Sequence, residues 1–502
     1  MTSEDIVLGS DTRVTIGRAQ THQNSSVRRR LGLSVFTTCV LVFLVASAAR
    51  AHAGMSLVAV SYDGWGQLAA LAATGLRIVH YQGKVFAALC EDEQIAALRR
   101  RGHTVSVLDS EASPDDYYLV DPFPGDASVG PGMAADVYPY GEDDSIIRAD
   151  PSQAGQLARR GLGLVKLPPM IAFPDTASCG TALDALGQRD PTVQAMVGLV
   201  SPALLEEHVC KLQDSDAMTY CNELGTRFSF SPDGLGEAAA YLRGQYQMLG
   251  LQVAYEPFIH SGTVMTNVVA ELPGSDPDRD RIVILCAHYD SISELSSPQN
   301  PHGPAPGADD NASGCAAVLE AARILSGYRF SKTLRFVHFA GEEQYLRGSA
   351  DYARQMHERG ECIDGVVNLD MIAFESIPPA DHTVEIHAGD MPASQALADV
   401  MIDSIAVYGL LLQPQRIASG ATWRSDHGSF WAQGYAAILG IEDFDDFNPA
   451  YHSTGDVLSN MQPELMAEFT KAAVATVAHL AGVMRTPLPF RTYLPSISRV
   501  GG

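Results

Sequence analysis

The sequence contains few basic residues for its length. It has 34 lysines and arginines against 59 aspartates and glutamates in 502 residues, which gives a formal net charge of −25 at pH 7. Nucleic-acid binding depends on lysine and arginine contacts to phosphates, so a surface with this excess of negative charge repels nucleic acid. We therefore do not expect DNA or RNA among the partners of this chain.

Cysteine is also scarce, with eight residues in the whole chain. Cys210 and Cys221 are close in sequence, and a disulfide between them is predicted if the protein matures in an oxidising compartment. Cys286 and Cys315 lie in apolar runs and are predicted to be buried thiols. Apart from Cys286, no thiol lies near the polar clusters described below, so a metal bound there would have nitrogen and oxygen ligands.

A long apolar run occurs near the start of the chain, from Leu31 to Ala49. Three arginines precede it, and Ala51, His52 and Ala53 form the small-x-small pattern of a signal-peptide cleavage site. Residues 1–53 are therefore predicted to be a signal peptide. A retained membrane anchor is the alternative, because the run is long enough to span a bilayer. The expected location is secreted or periplasmic.

Polar side chains follow a buried strand in the middle of the chain. The apolar run Ile282–Cys286 predicts a parallel strand that ends in His288 and Asp290. A loop rich in Pro, Ser and Gly then leads to Asp309 and Asp310, which open a helical segment. Binding sites of open α/β sheets form at the carboxyl ends of the strands, so these side chains are expected at such a site.

Further acidic and imidazole side chains follow later strands. The β-rich run 333–340 leads to Glu342 and Glu343, the apolar segment GVVNLDMIA carries Asp370, and NPAYHSTGD contains His452. Two adjacent carboxylates cannot point the same way, so one is expected to bind metal and the other to act as a base. The candidate metal ligands are His288, Asp309, Glu343, Asp370 and His452.

These ligands suit a pair of metal ions. A single catalytic zinc usually takes three protein ligands, whereas five ligands fit two ions that share a carboxylate and activate an attacking hydroxide. Nitrogen and oxygen donors without thiolate favour zinc.

Six segments, in this order, resemble the secreted bacterial leucyl aminopeptidase family of di-zinc exopeptidases, which also includes glutamate carboxypeptidase-like members. The segments are AHYDS, PGADDNASG, FAGEEQYLRGS, NLDM, SDHGSFWAQGY and YHSTGD, and together they cover roughly residues 190 to 485.

The resemblance implies a role for each site residue. Asp309 would bridge two zinc ions, Glu343 and His452 would complete one coordination sphere, and His288 and Asp370 the other. Glu342 would be the general base, and Asp290 would hold the far nitrogen of the His288 ring. The resemblance also implies a cis peptide between Asp309 and Asp310.

The segment before α-helical SDHGSF differs from the family pattern. Asp426 and His427 are expected to help build the substrate pocket, with a helix-cap role as the alternative for Asp426. The family's aminopeptidases often carry a disulfide-flanked tyrosine here that binds the developing oxyanion, but this chain has Thr422 and Trp423. The metals or another residue would have to stabilise that charge.

The function implied is a secreted zinc aminopeptidase that releases apolar amino-terminal residues from peptides, acting as a monomer. A carboxypeptidase or dipeptidase of the same family is the alternative, and it would need a cation for a free carboxylate, such as Arg347, Arg416 or Arg424. A non-catalytic surface binding protein is the other alternative.

The expected fold of residues 186–485 is α/β, with a mixed, mostly parallel sheet flanked by helices. Residues 54–110 alternate in the order strand, helix, strand, strand, helix, strand, typical of a small ferredoxin-like α+β module. We interpret this module as a prosegment or an accessory domain. Residues 111–185 are rich in Pro, Asp and Gly and are predicted to be a linker. Cleavage of this linker is predicted to raise activity. Residues 486–502 are predicted to be a tail.

Overall fold

A computed structural model describes residues 54–121, 136–141, 144–158, 160–173, 186–213, 226–275, 277–376 and 380–484. The chain from Gly54 onward forms one compact unit. The predicted signal or anchor segment, 1–53, and the predicted tail, 486–502, lie outside the described residues. Within the described ranges, no helix combines the length and apolarity needed to cross a membrane.

The amino-terminal module has the predicted ferredoxin-like element order. Its elements are β1 (Ser56–Ser61), α1 (Trp65–Ala72), β2 (Arg77–Gln82), β3 (Val85–Cys90), α2 (Asp92–Arg100) and β4 (Val105–Asp109). The strands form an antiparallel sheet in the order β2-β3-β1-β4. A capping box between Glu91 and Gln94 starts α2.

The prediction that residues 111–185 form a linker is wrong for the described part of that range. It contains β5 (Tyr117–Val120), β6 (Asp136–Tyr140), β7 (Asp144–Arg148), α3 (Pro151–Ala158) and β8 (Leu164–Lys166). The strands form a second antiparallel sheet in the order β6-β7-β5-β8. These strands have only three to five residues. Apolar and polar residues therefore cannot show a clear alternation in a segment rich in Pro, Gly and Asp. The strands form because they pack on the rest of the chain.

The remainder of the chain forms the predicted mixed sheet. Its strands are β9 (Gln252–His260), β10 (Thr263–Leu272), β11 (Arg281–His288), β13 (Thr333–Phe339), β14 (Cys362–Leu369), β15 (Thr383–His387), β16 (Gln413–Ile417) and β17 (Ala437–Glu442). Their order is β16-β15-β17-β14-β11-β13-β10-β9, with the central strands β17, β14, β11 and β13 parallel. A short pair, β12 (Arg329–Phe330) and β18 (Val483–Met484), lies beside it.

Helices cover this sheet. They are α4 (Pro191–Val197), α5 (Pro202–Leu212), α6 (Pro232–Met248), α7 (Gly314–Leu325), α8 (Arg347–Glu358), α9 (Pro392–Tyr408), α10 (His427–Ala432) and α11 (Pro463–Ala481). Five of them begin with proline, whose fixed φ suits the first helical position. The alanine-rich helices α7 and α11 are buried almost all round, so the main apolar core lies between them and the sheet.

The described cysteines fit the sequence analysis. Cys210 is disulfide-bonded, and its predicted partner, Cys221, lies outside the described residues. Cys362 is also disulfide-bonded. Cys286 and Cys315 are buried free thiols, as predicted.

The amino-terminal module shares an apolar core with the main sheet. The Trp423 ring lies 4.9 Å from the His80 ring and 5.3 Å from the Tyr81 ring, measured between centroids. On its other side Trp423 contacts Trp431, with centroids 5.2 Å apart. The described regions after Gly54 therefore pack as one unit.

His80 leads to a prediction about stability in acid. Burial lowers the pKa of His80 from 6.5 to about 3. Since the unfolded chain binds a proton near pH 6.5 and the folded chain does not, stability is complete above that pH and is lost as the pH falls towards 3. At pH 5 the loss from this one residue is about 2 kcal/mol.

Urea unfolding at pH 7 and pH 5 measures this loss. We expect His80→Phe to lose less stability between the two pH values than the unmodified protein. His357→Phe, which changes an exposed ring, is the control and should behave like the unmodified protein. Equal losses in His80→Phe and the unmodified protein would contradict the assignment.

Candidate active site

The carboxyl ends of three parallel strands bring polar side chains to one edge of the main sheet. His288 is the last residue of β11 and pairs in register with Phe339 of β13, so the two strands end level. Glu342 and Glu343 follow β13, and Asp370 directly follows β14. These four residues line one cavity.

Asp310 and His452 complete the polar lining of this cavity. Asp310 lies between the two imidazoles, with Oδ1 3.1 Å from His288 Nε2 and Oδ2 3.2 Å from His452 Nε2. His288 Nε2 is 3.3 Å from Asp370 Oδ1, and His452 Nε2 is 3.1 Å from Glu343 Oε2. These contacts define two donor groups that share Asp310. The first consists of His288, Asp310 and Asp370, and the second of Asp310, Glu343 and His452.

Asp309, predicted as the shared carboxylate, belongs to neither group. It is fully buried, and its carboxylate accepts hydrogen bonds from Ala373 N (2.9 Å) and Asn448 Nδ2 (3.1 Å). The cis peptide bond joins Asp310 and Asn311, one position after the predicted one. The two aspartates are adjacent, so sequence spacing cannot choose between them. The backbone, with non-helical φ and ψ at Asp310, turns the second into the cavity.

The donor set fits divalent metal ions. Four carboxylates face only two imidazoles in this cavity, and buried Glu343 Oε1 accepts no hydrogen bond from the described residues. Burial and the neighbouring Asp310 carboxylate raise the pKa of Glu343 to about 7. Burial alone would lower the pKa of His452, but the Glu343 and Asp310 carboxylates raise it to about 10. Divalent cations offset such an excess of buried negative charge, and nitrogen and oxygen donors suit zinc.

Glu342 and Glu343 have different further partners, although their carboxylates and His288 together also form a third donor group. Glu343 reaches His452, whereas Glu342 lies outside the two groups that share Asp310 and faces His288 and Glu343 within 4.8 Å. Burial raises the pKa of Glu342 well above its usual value. Its backbone N–H donates to Asp290 Oδ1 at 3.2 Å, which fixes the start of this loop.

Asp290 lies beside the far nitrogen of His288, where it was predicted. The nearest acceptor for Nδ1 is the Asp290 backbone carbonyl at 3.1 Å, and the carboxylate Oδ1 is 3.6 Å away. The carboxylate itself accepts from Ser229 Oγ at 2.6 Å. Asp290 therefore orients the imidazole through its backbone as well as its side chain.

Asp426 and His427, predicted in the substrate pocket, do not line the cavity. Both are 0% exposed. His427 Nε2 lies 2.9 Å from the Thr422 carbonyl, and its ring packs on Trp431 with centroids 4.5 Å apart. Asp426 stands at the start of α10 but makes no side-chain cap hydrogen bond, and burial raises its pKa to about 7. The helix α10, which starts at His427, packs against α8, β14 and β17.

The preceding residue, Ser425, supports a metal ligand instead. Its hydroxyl donates to Asp370 Oδ2 at 2.6 Å and accepts from Asn368 Nδ2 at 2.7 Å. This chain of hydrogen bonds holds the Asp370 carboxylate in place.

Of the three arginines considered for carboxylate binding, Arg424 alone lines the cavity. It donates to the Asp121 carbonyl at 3.1 Å and to the Tyr451 hydroxyl at 2.8 Å. Arg416 pairs with Asp399, with Nη1 2.5 Å from Oδ1, and Arg347 donates to the Gln344 carbonyl.

Most of the remaining cavity wall was not predicted from the sequence. Tyr451 lines the cavity and stacks on His452 with ring centroids 3.6 Å apart, and its place next to a predicted ligand was a usable signal. The rest of this wall comes from the described residues between 54 and 173, here called the amino-terminal region. The lining residues are Ala158, Gly161, Leu162, Leu164 and Val165. Those residues form a short apolar stretch far from the motifs, and nothing in the sequence connects the two.

Residues 267–477 match the model of peptidase family M28. This match makes the middle and carboxyl-terminal part of the chain similar to M28 peptidases. A probable zinc metalloprotease of Pyricularia oryzae is 32% identical over 229 residues, which cover 41% of this chain and 43% of that protein. A probable leucine aminopeptidase of Trichophyton verrucosum is 29% identical over 259 residues, 49% of this chain and 66% of that protein. The matched region thus spans less than two thirds of either relative.

The fold resembles that of a solved aminopeptidase structure. The crystal structure of the LapA aminopeptidase of Legionella pneumophila covers 73% of this chain and 98% of its own, with a TM-score of 0.54 and 20% identity. The resemblance and the α/β fold class predicted from the sequence are both confirmed.

Proposed function

We propose that this protein is a zinc-dependent aminopeptidase that removes apolar residues from the amino termini of peptides. The observation that carries the proposal is the pair of donor groups sharing Asp310, beside the half-buried carboxylate of Glu342, in the region that matches the M28 peptidase model. The names of the relatives in fungi agree with a metal-dependent peptidase acting on amino termini.

The two donor groups would hold two zinc ions, one with His288, Asp310 and Asp370 and one with Asp310, Glu343 and His452. Bound zinc supplies Lewis-acid polarisation of the peptide carbonyl and makes water a better nucleophile near neutral pH. The residues around the ligands keep them oriented: Asp290 fixes the His288 ring, and the Asn368–Ser425 chain fixes Asp370.

Glu342 is the proton carrier in this proposal. Its carboxylate takes a proton from the attacking water and returns it to the departing nitrogen, so that water is split across the peptide bond. Burial raises the pKa of Glu342, which gives this carboxylate the proton affinity that a base needs near neutral pH. Glu343, held at His452, cannot serve both roles.

The preference for apolar residues follows from the cavity wall. Beside the charged floor, the cavity is lined by Leu162, Leu164, Val165 and Met371. Apolar side chains gain free energy when they move from water to such a surface, at about 25 cal/mol per Å² of buried apolar area.

Secretion is part of the proposal. The signal-peptide pattern of residues 1–53 and the disulfide-bonded Cys210 and Cys362 both favour an oxidising compartment, where disulfides persist. Sequencing the amino terminus of the protein recovered from the culture medium tests this: a start near Gly54 supports cleavage, whereas recovery only in the membrane fraction supports an anchor.

A substrate panel with metal analysis tests the activity. We expect purified protein to hold close to two zinc ions per chain, to hydrolyse leucine p-nitroanilide, to lose activity on dialysis against a chelator and to regain it with zinc. Turnover of acyl-glutamate substrates instead would favour the carboxypeptidase alternative, with Arg424 as the carboxylate ligand. Absence of turnover in zinc-loaded protein with every peptide would favour a binding protein.

A further inference from the structure

One wall of the active-site cavity comes from the amino-terminal region. Leu162, Leu164 and Val165 line the same cavity as His288, Asp310 and Glu342, together with the end of α3 at Ala158. Leu162 and Leu164 are buried, with 3% and 6% of their surfaces exposed, in a small apolar cluster with Tyr118 and Val120. The wall is thus apolar, packed on its own small core, and part of the same cavity as the metal ligands.

Strand pairing and buried hydrogen bonds fix this wall to the region that matches the M28 peptidase model. Val120 of β5 pairs with Leu164 of β8, and β5 runs directly into Asp121. The Asp121 carboxylate accepts hydrogen bonds from Thr422 Oγ1 and Trp423 N, both at 2.8 Å, in the segment before α10.

A second attachment joins the wall to the loop that carries Glu342 and Glu343. The Tyr118 ring packs edge-on against Tyr345, with centroids 5.6 Å apart, and Tyr118 also hydrogen-bonds the side chain of Arg347. Tyr345 itself lines the cavity. The contacts of Tyr118 therefore attach the wall to the loop that carries Glu342 and Glu343.

The interface behind the wall has the character of a protein core. Trp423 is 4% exposed and Trp431 1% exposed, and both belong to the apolar cluster that extends into the amino-terminal module. Removal of the module would expose this large apolar surface to water, which folded monomers rarely tolerate.

We propose that Leu162, Leu164 and Val165, with Ala158 and Gly161, form the subsite for the first side chain of the substrate. We also propose that the amino-terminal region is a permanent part of the active enzyme. This inference rests on the proposed aminopeptidase function. The subsite takes an apolar side chain, because its described wall is aliphatic. The region thus selects substrates and does not serve as a removable inhibitor.

Paired alanine substitutions in the full-length, zinc-loaded protein test the inference. Leu162→Ala shortens a residue of the wall, and Leu157→Ala removes the same atoms from the same cluster at a position that does not line the cavity. For each variant, kcat/KM is measured with alanine, leucine and phenylalanine p-nitroanilides, and the melting temperature is recorded. Val165→Ala is a milder change at the same wall, for use if Leu162→Ala does not fold.

We expect Leu162→Ala to lower the ratio of kcat/KM for leucine over alanine about tenfold and to raise that for phenylalanine over leucine, because one methylene in an apolar pocket is worth about tenfold or more. Leu157→Ala should lower the melting temperature by a similar amount and leave both ratios unchanged.

Two results would overturn the inference. Unchanged ratios in folded, active Leu162→Ala and Val165→Ala would show that the wall does not contact the substrate side chain. An equal rise of kcat/KM for all three substrates in the wall variants would show that the segment is an inhibitory cover. If the unmodified zinc-loaded protein hydrolyses none of the p-nitroanilides, the proposed function fails instead, so the two failures are distinguishable.

Discussion

Glu342→Gln is expected to lower kcat by about 10²- to 10⁴-fold, the usual contribution of a general base, while zinc content and KM stay nearly unchanged. Glutamine has almost the shape of glutamate but cannot take a proton from water. Glu342 lies outside the two donor groups that share Asp310, so its loss should leave the metal ligands in place.

Glu343→Gln is the matched control, because it makes the same chemical change one residue away. Glu343 Oε2 lies 3.1 Å from His452 Nε2 in the second donor group, so this variant should lose zinc and activity together. Metal analysis by mass spectrometry and kcat on leucine p-nitroanilide separate the two. Loss of zinc from Glu342→Gln, or two variants with the same zinc content, would overturn this division of roles.

Much of this site could be predicted because each residue follows a strand that is visible in the sequence. The apolar runs before His288, Glu343 and Asp370 are long and rich in branched residues, which is typical of buried parallel strands. Parallel strands end at the same edge of a sheet, so the side chains that follow them had to meet. The structure places all three in one cavity.

The errors have local physical causes. Asp426 and His427 belong to a polar motif, but both are fully buried at the start of α10, which packs against α8, β14 and β17. Contacts between such distant segments leave no periodic signal in the sequence. For the same reason the strands between residues 111 and 185 were taken for a linker. Their order comes from tertiary packing, which propensity in so short a strand does not reveal.

The assignment of the shared carboxylate leads to the second large prediction. Asp310→Asn is expected to reduce zinc from close to two ions to at most one per chain. The two oxygens of Asp310 each face a different imidazole, and asparagine replaces one oxygen with an NH₂ group that cannot bind a cation. Activity should fall by more than the roughly 10²-fold that follows loss of an outer-shell partner.

Asp309→Asn tests whether Asp309, as predicted from the sequence, or Asp310, as the structure indicates, is the shared carboxylate. Asp309 accepts hydrogen bonds from Ala373 and Asn448 and contacts neither imidazole at the site, so this variant should keep close to two zinc ions and most of its activity. The opposite pattern, with zinc lost from Asp309→Asn and kept in Asp310→Asn, would restore Asp309 as the bridging ligand. Because the substitutions are identical in chemistry and adjacent in sequence, a difference in zinc content can only reflect which carboxylate faces the metals.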